Sequence, residues 1–102
     1  MDINALSLRL QRIRDHNQWQ RFHSPKNLVM AASVEMAELV EVFQWLTEEQ
    51  SRQLDGAQRE HAAHEIADVV MYLLQLCSEL GIDMEQAILA KLGDNERRFI
   101  HG

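Results

Sequence analysis

An all-α domain is predicted for this chain of 102 residues by three features: few turn signals (four Gly, one Pro), apolar residues recurring at helical spacing, and acidic pairs set within long apolar stretches. A chain of many short strands would need more turn residues than this one has. The length suits one domain over residues 1–102, with a core small enough for oligomerisation to add to its stability.

The first helix is expected from about Asn4 to Asn17, where Leu6, Leu10 and Ile13 form one stripe and Arg9, Arg12 and Arg14 take the other sides. Its role reads as structural. Between it and the next helix lies WQRFHSPKN, in which Ser24 is a good N-cap and Pro25 a good first helical residue. Trp19, Phe22 and His23 cluster just before this turn, either as a lid over a pocket or, the safer reading for any one of them, as a small satellite core.

The second helix is expected from Pro25 to about Leu46, with Leu28, Ala32, Leu39 and Phe43 on its buried side. Thr47 and Gln50 have the form of a capping box, so a short helical turn should follow before LDGA breaks the chain around Gly56. The third helix then runs from about Ala57 to Leu80, with Gly81 in the position of a left-handed cap. Its second half, IADVVMYLLQLC, is apolar on nearly every side, which points to a subunit interface. A fourth helix, capped by Asp83, carries Ile88, Leu89 and Leu92 as its packing side and ends in charge.

The net charge of -6 argues against a nucleic-acid partner. No apolar run is long enough to span a bilayer, and the opening residues do not form a signal peptide, so the expected setting is cytoplasmic and free of membrane contact. The single cysteine, Cys77, excludes an intrachain disulfide and reads as a buried hydrophobe. No phosphate-cradling glycine loop, Ser-His-Asp order or Cys-x-x-Cys pair occurs.

The chemistry concentrates in two acidic repeats, Glu35-x-x-Glu38 in VEMAELVEVFQW and Glu65-x-x-Asp68 in HEIADVVMYLL. Residues three apart share a helix face, so each repeat presents two carboxylates to one side. Lys and Arg are absent from Asn27 through Ser51 and from Glu60 through Ala90, so the positive charge must come from elsewhere. Such pairs are common on solvated helix faces. Here Asp68 is followed by Val69, Val70, Met71, Leu73 and Leu74, and an unpaired carboxylate in that setting would be costly. Oxygen-only ligands suit a hard divalent ion, Mg2+ or Mn2+ rather than Zn2+.

Around these repeats stand further candidates. Glu41 lies at the edge of the Glu35 and Glu38 face and reads as an outer ligand, a base or a solvated residue. Trp45 is about 80° from Glu35 on a helical wheel, either overhanging that face or packed in the core. Tyr72 falls on the acidic face of its own helix one turn beyond Asp68. His61, four before Glu65, reads as solvated or locally hydrogen-bonded rather than as a ligand. Lys91, Asn95, Arg97 and Arg98 either complement the last helix's dipole or hold an anion brought by the metal.

In WQRFHSPKNL, EMAELVEVFQW, HEIADVVMYL and KLGDNERRF, nearly the whole chain resembles the MazG-like all-α nucleoside triphosphate pyrophosphohydrolases, most closely their small dCTP pyrophosphatase-like branch. The resemblance implies a four-helix bundle assembled as a dimer or dimer of dimers, with Mg2+ held by Glu35, Glu38, Glu65 and Asp68. It implies cleavage between the α and β phosphates, giving monophosphate and pyrophosphate and clearing unwanted nucleotides from the pool. Carried across by position, Trp19, Trp45 and Tyr72, with His23 beside them, would line the nucleoside pocket, and Lys91, Asn95 and Arg98 would meet the phosphates or the base. Glu38 or Glu41 would take the proton of the attacking water. Two competitors are a di-iron carboxylate bundle and a non-catalytic oligomerisation or adaptor module with an acidic face. The first characteristically contains Glu-x-x-His, and none of the five histidines follows a Glu at that spacing.

Overall fold

A computed structural model describes residues 1–100, and every described element is helical. Helix α1 covers Ile3–His16, α2 Pro25–Phe43, α3 Glu48–Arg52, α4 Gly56–Leu80 and α5 Met84–Phe99, with a single 3-10 turn at Gln20–Phe22. None of the helices is long and apolar enough to cross a membrane.

The boundaries follow from local capping. Ser24 Oγ accepts the Asn27 amide at 3.2 Å, and Pro25 opens α2 as expected. Thr47 and Gln50 form the reciprocal capping box of α3. Two expectations are corrected here. Helix α2 ends at Phe43 rather than Leu46, because Gln44 to Leu46 turn to place Thr47 as the next N-cap. The break expected around Gly56 lies at residues 53–55, and α4 opens one residue earlier than expected: Asp55 accepts the Gln58 amide at 2.8 Å while the Gln58 side chain accepts the Asp55 amide, a second capping box that takes Gly56 into the helix.

Helices α1 and α4 both end on a left-handed residue with paired reverse hydrogen bonds. At α4 this is Gly81 (φ 66°), with the Ile82 amide donating to Cys77 O at 2.9 Å. At α1 it is Gln18 (φ 56°), with the Trp19 amide donating to Arg14 O at 3.0 Å. That reversal turns the backbone at Trp19 back toward Arg14.

The core is the seam between α2 and α4, on which α1 also lies. Leu28 and Ala32 of α2 and Ala62 and Leu74 of α4 are buried in it, and full burial of a leucine contributes about 1.5–3 kcal/mol. Leu39, Phe43 and Cys77, expected inside, are only half-buried. Helix α1 is tied to α4 by Arg14 Nη1 donating to Glu79 Oε1 at 2.9 Å.

The chain by itself is not a closed four-helix bundle. Helix α5 does not pack along another helix as α1 and α2 do, and Ile88, Leu89 and Leu92, expected to be its packing side, are each about half exposed. The radius of gyration is 16.5 Å, against about 13 Å for a compact domain of this size. Val29, Met30 and Val34 of α2 and Ile66 of α4 are also at least half exposed. Patterning that reads as core in sequence has thus been left on the outside of one chain.

Candidate metal centre and ligand cavity

Ligand oxygens of Glu35, Glu38 and Glu65 lie within 4.8 Å of one another across the α2 and α4 seam. The helical face expected from each repeat is therefore real, and the two faces meet. Glu65 is the buried member, with its side chain 6% exposed, whereas Asp68 retains 27%. This reverses the sequence argument, which assigned the costly burial to Asp68; the seam passes closer to Glu65, three residues earlier on α4. Glu65 Oε2 is buried without a hydrogen-bond partner. Such an orphan oxygen is unfavourable unless a cation or proton comes to it.

The repulsion shows in Glu35, whose carboxyl is pushed up from the ordinary 4.5 to about 7. The main cause is a hydrogen bond that its protonated form gives to Glu65, followed by partial desolvation and the negative charge of Glu38. A proton is thus one way to relieve the cluster. A divalent cation is the other, and the donors available to it in this trio are all oxygen, the set preferred by Mg2+.

Asp68 does not close the trio. It groups instead with Glu65 and His64, so Glu65 belongs to both sets. Asp68 and Glu35 both line a cavity of about 290 Å3, whose other walls include Trp19, His23 and Tyr72. Trp19 and His23 stand with ring centroids 6.2 Å apart. Phe22 is not among the cavity walls and stands half exposed beneath the Arg21 guanidinium. The lining runs from His23 to Glu35 on one side and back from Gln75 to Asp68 on the other, as two antiparallel helices require. An apolar, aromatic cavity opening on convergent polar groups is the usual form of a small-molecule site. A wider hollow of about 590 Å3 lies against α1 and the residue following it, and holds none of the clustered carboxylates.

Several expected site residues stand elsewhere. Glu41 is exposed one turn beyond Glu38, outside the trio. Trp45 lies beyond the end of α2, 87% exposed, and neither overhangs the cavity nor enters the core. Lys91, Asn95 and Arg98 are carried by α5, away from the cavity of their own chain. His61 is locally placed as expected, its Nε2 3.4 Å from Glu65 Oε1.

The structure adds Arg14, Gln75 and His64. Arg14 lines the cavity while bonded to Glu79 and Asp15. Nothing in the sequence singled it out among the arginines of α1. Gln75 follows Tyr72 by three and shares its face, a spacing that would have found it. His64 precedes Asp68 by four, as His61 precedes Glu65.

A helical hairpin that gathers carboxylates beside an aromatic-lined cavity defines a class: all-α proteins with an acidic cluster against a cavity of ligand size. Residues 30–101 match the MazG-like family, and the chain belongs to it. Over 100 residues it is 37% identical to dCTP pyrophosphatase 1 from Bos taurus and from Homo sapiens. Each match covers 96% of this chain and 57% of the relative, so the chain spans little more than half the length of the curated relatives it matches. A crystal structure of a pyrophosphatase from Archaeoglobus fulgidus DSM 4304 superposes with a TM-score of 0.90 at 35% identity, covering 98% of this chain and 94% of that one.

Proposed function

We propose that the protein is a nucleoside triphosphate pyrophosphohydrolase that cleaves between the α and β phosphates of a deoxynucleotide, dCTP or a close relative, and so clears the nucleotide pool. The observation that carries this reading is the meeting of Glu35, Glu38 and Glu65 beside a cavity walled by Trp19, His23 and Tyr72. Family membership and the pyrophosphatases it resembles support it.

In this reading Glu35, Glu38 and Glu65 would hold Mg2+, or Mn2+ as the alternative, with Asp68, which groups beside Glu65, as the fourth carboxylate. Bound there, the ion would supply the positive charge that lets a polyphosphate approach these carboxylates and would make a water molecule a better nucleophile. Trp19 and Tyr72 hold the base and sugar by stacking and van der Waals contact, with His23 beside them. Glu38 or Glu41, both exposed to solvent, takes the proton of the attacking water. Lys91, Asn95 and Arg98 meet the phosphates from α5 of a neighbouring copy, since α5 leaves its own cavity. A homo-oligomer, dimer or tetramer, in a cytoplasmic setting accounts for the exposed apolar faces of α2, α4 and α5.

The test is to incubate the purified protein with Mg2+ and each common nucleoside and deoxynucleoside triphosphate and to resolve the products. Monophosphate with pyrophosphate supports the reading and names the base. Diphosphate with phosphate places cleavage at the other bond and overturns it.

A further inference from the structure

Gln75 is a wall of the cavity that Trp19, His23, Tyr72, Glu35 and Asp68 also line. It lies seven residues beyond Asp68 on α4, about 10 Å along the helix axis, with Tyr72 between them on the same face. The carboxylates therefore stand at one end of the cavity and the Gln75 carboxamide at the other. A nucleotide that brings its phosphates to the carboxylate end would carry its base to Gln75.

The polarity of that carboxamide is set. Its Nε2 donates to Met71 O at 3.2 Å. A backbone carbonyl only accepts, so turning the amide over would set Oε1 against Met71 O, acceptor against acceptor. What is left for a ligand is Oε1 as acceptor with the second N–H beside it as donor. An exocyclic amine next to a bare ring nitrogen, the edge that cytosine and adenine present, is the complement of this pair. Uracil and thymine present an oxo group next to an N–H, the reverse order. Leu10, Ile13 and Met71 give the same cavity apolar walls, where an opposed pair is poorly made good by water.

We propose that Gln75 selects the base: it takes nucleotides whose base carries the amine and refuses those that carry the oxo group. This role deepens the nucleotide reading given above and rests on it, for only a nucleotide held by its phosphates at the far end reaches Gln75 with its base.

The experiment measures binding and turnover separately. Calorimetry with dCMP, dAMP and dUMP, in Mg2+, is run on the unaltered protein and on two variants. Gln75→Met keeps the length of the side chain without its polar groups; Gln11→Met is the control, since Gln11 contacts Ser78 Oγ at 3.5 Å and is not a wall of this cavity. The unaltered protein should bind dCMP or dAMP about 10–100-fold more tightly than dUMP, and Gln75→Met should bring that ratio close to one while Gln11→Met keeps it. A merely structural role for Gln75 would weaken all three alike and leave the ratio. The kcat/KM values for dCTP, dATP and dUTP should follow the same pattern, and the better of the two amino bases names the substrate. An unchanged ratio in Gln75→Met, or no binding of any monophosphate, overturns the assignment. A Gln75-dependent preference for the amine without hydrolysis of any triphosphate keeps the assignment and overturns the pyrophosphohydrolase reading instead.

Discussion

Glu35 of α2 and Glu65 of α4 bring carboxyl oxygens within 4.8 Å across the helical seam, and a proton on Glu35 bridges the pair up to about pH 7. Because Glu35 holds that proton more tightly folded (about 7) than at its ordinary 4.5, its contribution to stability is fully present below 4.5 and is lost as pH rises through 7. The metal-free protein should therefore melt at a lower temperature at pH 8 than Glu35→Gln, and the two should converge near pH 4.5. Melting curves in chelator across that range check this; parallel curves would show that Glu35 is not the group responsible.

Millimolar Mg2+ should reverse that alkaline penalty. With nucleotide present as well, a ligand at a hundred times its dissociation constant adds about 2.7 kcal/mol of apparent stability. Thermal shifts with Mg2+, nucleotide and both together separate the contributions, and indifference to all three would favour a non-catalytic adaptor.

Glu38→Gln and Asp68→Asn should each lower turnover by about 100-fold or more, the range for losing a positioned acid or base, with helical circular dichroism unchanged. Both side chains retain solvent exposure, so neither substitution opens the core. Normal turnover in both variants would remove the carboxylate site from the mechanism.

The two left-handed helix ends make opposite predictions. At Gly81 an added Cβ meets nothing within 4 Å, so Gly81→Ala should cost only the backbone strain, about 1 kcal/mol. At Gln18 the strain is already present, and Gln18→Gly should be neutral or stabilising by up to about 1 kcal/mol. Denaturant midpoints of the two variants measure both.

Leu28, 2% exposed in the seam, is the side chain whose truncation should cost most, about 2–5 kcal/mol for Leu28→Ala. Chemical denaturation reads this directly, and a loss below 1 kcal/mol would mean the seam is looser than drawn.

How much of this was legible depended on whether the cause was local. Ser24, Thr47 and Asp83 announced their helices because an N-cap acts over three residues. Asp55 and Gln58 obey the same rule, which draws Gly56 itself into α4 and leaves the break at residues 53–55. The acidic repeats were legible as faces, whereas that the two faces meet came only with the family resemblance, since like charges alone would keep them apart. Which carboxylate is buried was not, since Glu65 and Asp68 differ by less than one turn and only the line of the seam separates them. Trp45 and the residues of α5 show the limit from the other side. Ile88 and Leu92 carry a core pattern, but a pattern states that a face is to be covered and not which chain covers it.

That last helix makes concentration a structural variable. With Phe99 and Ile100 more than two-thirds exposed and no long seam against its own chain, α5 would gain its packing in the proposed oligomer only from another molecule. Dilution should then act as a denaturant in its own right, lowering the melting temperature with no change of solvent. Refolding should then contain a step whose rate scales with the amount of protein, because closure of the proposed oligomer would be a collision and not a fold.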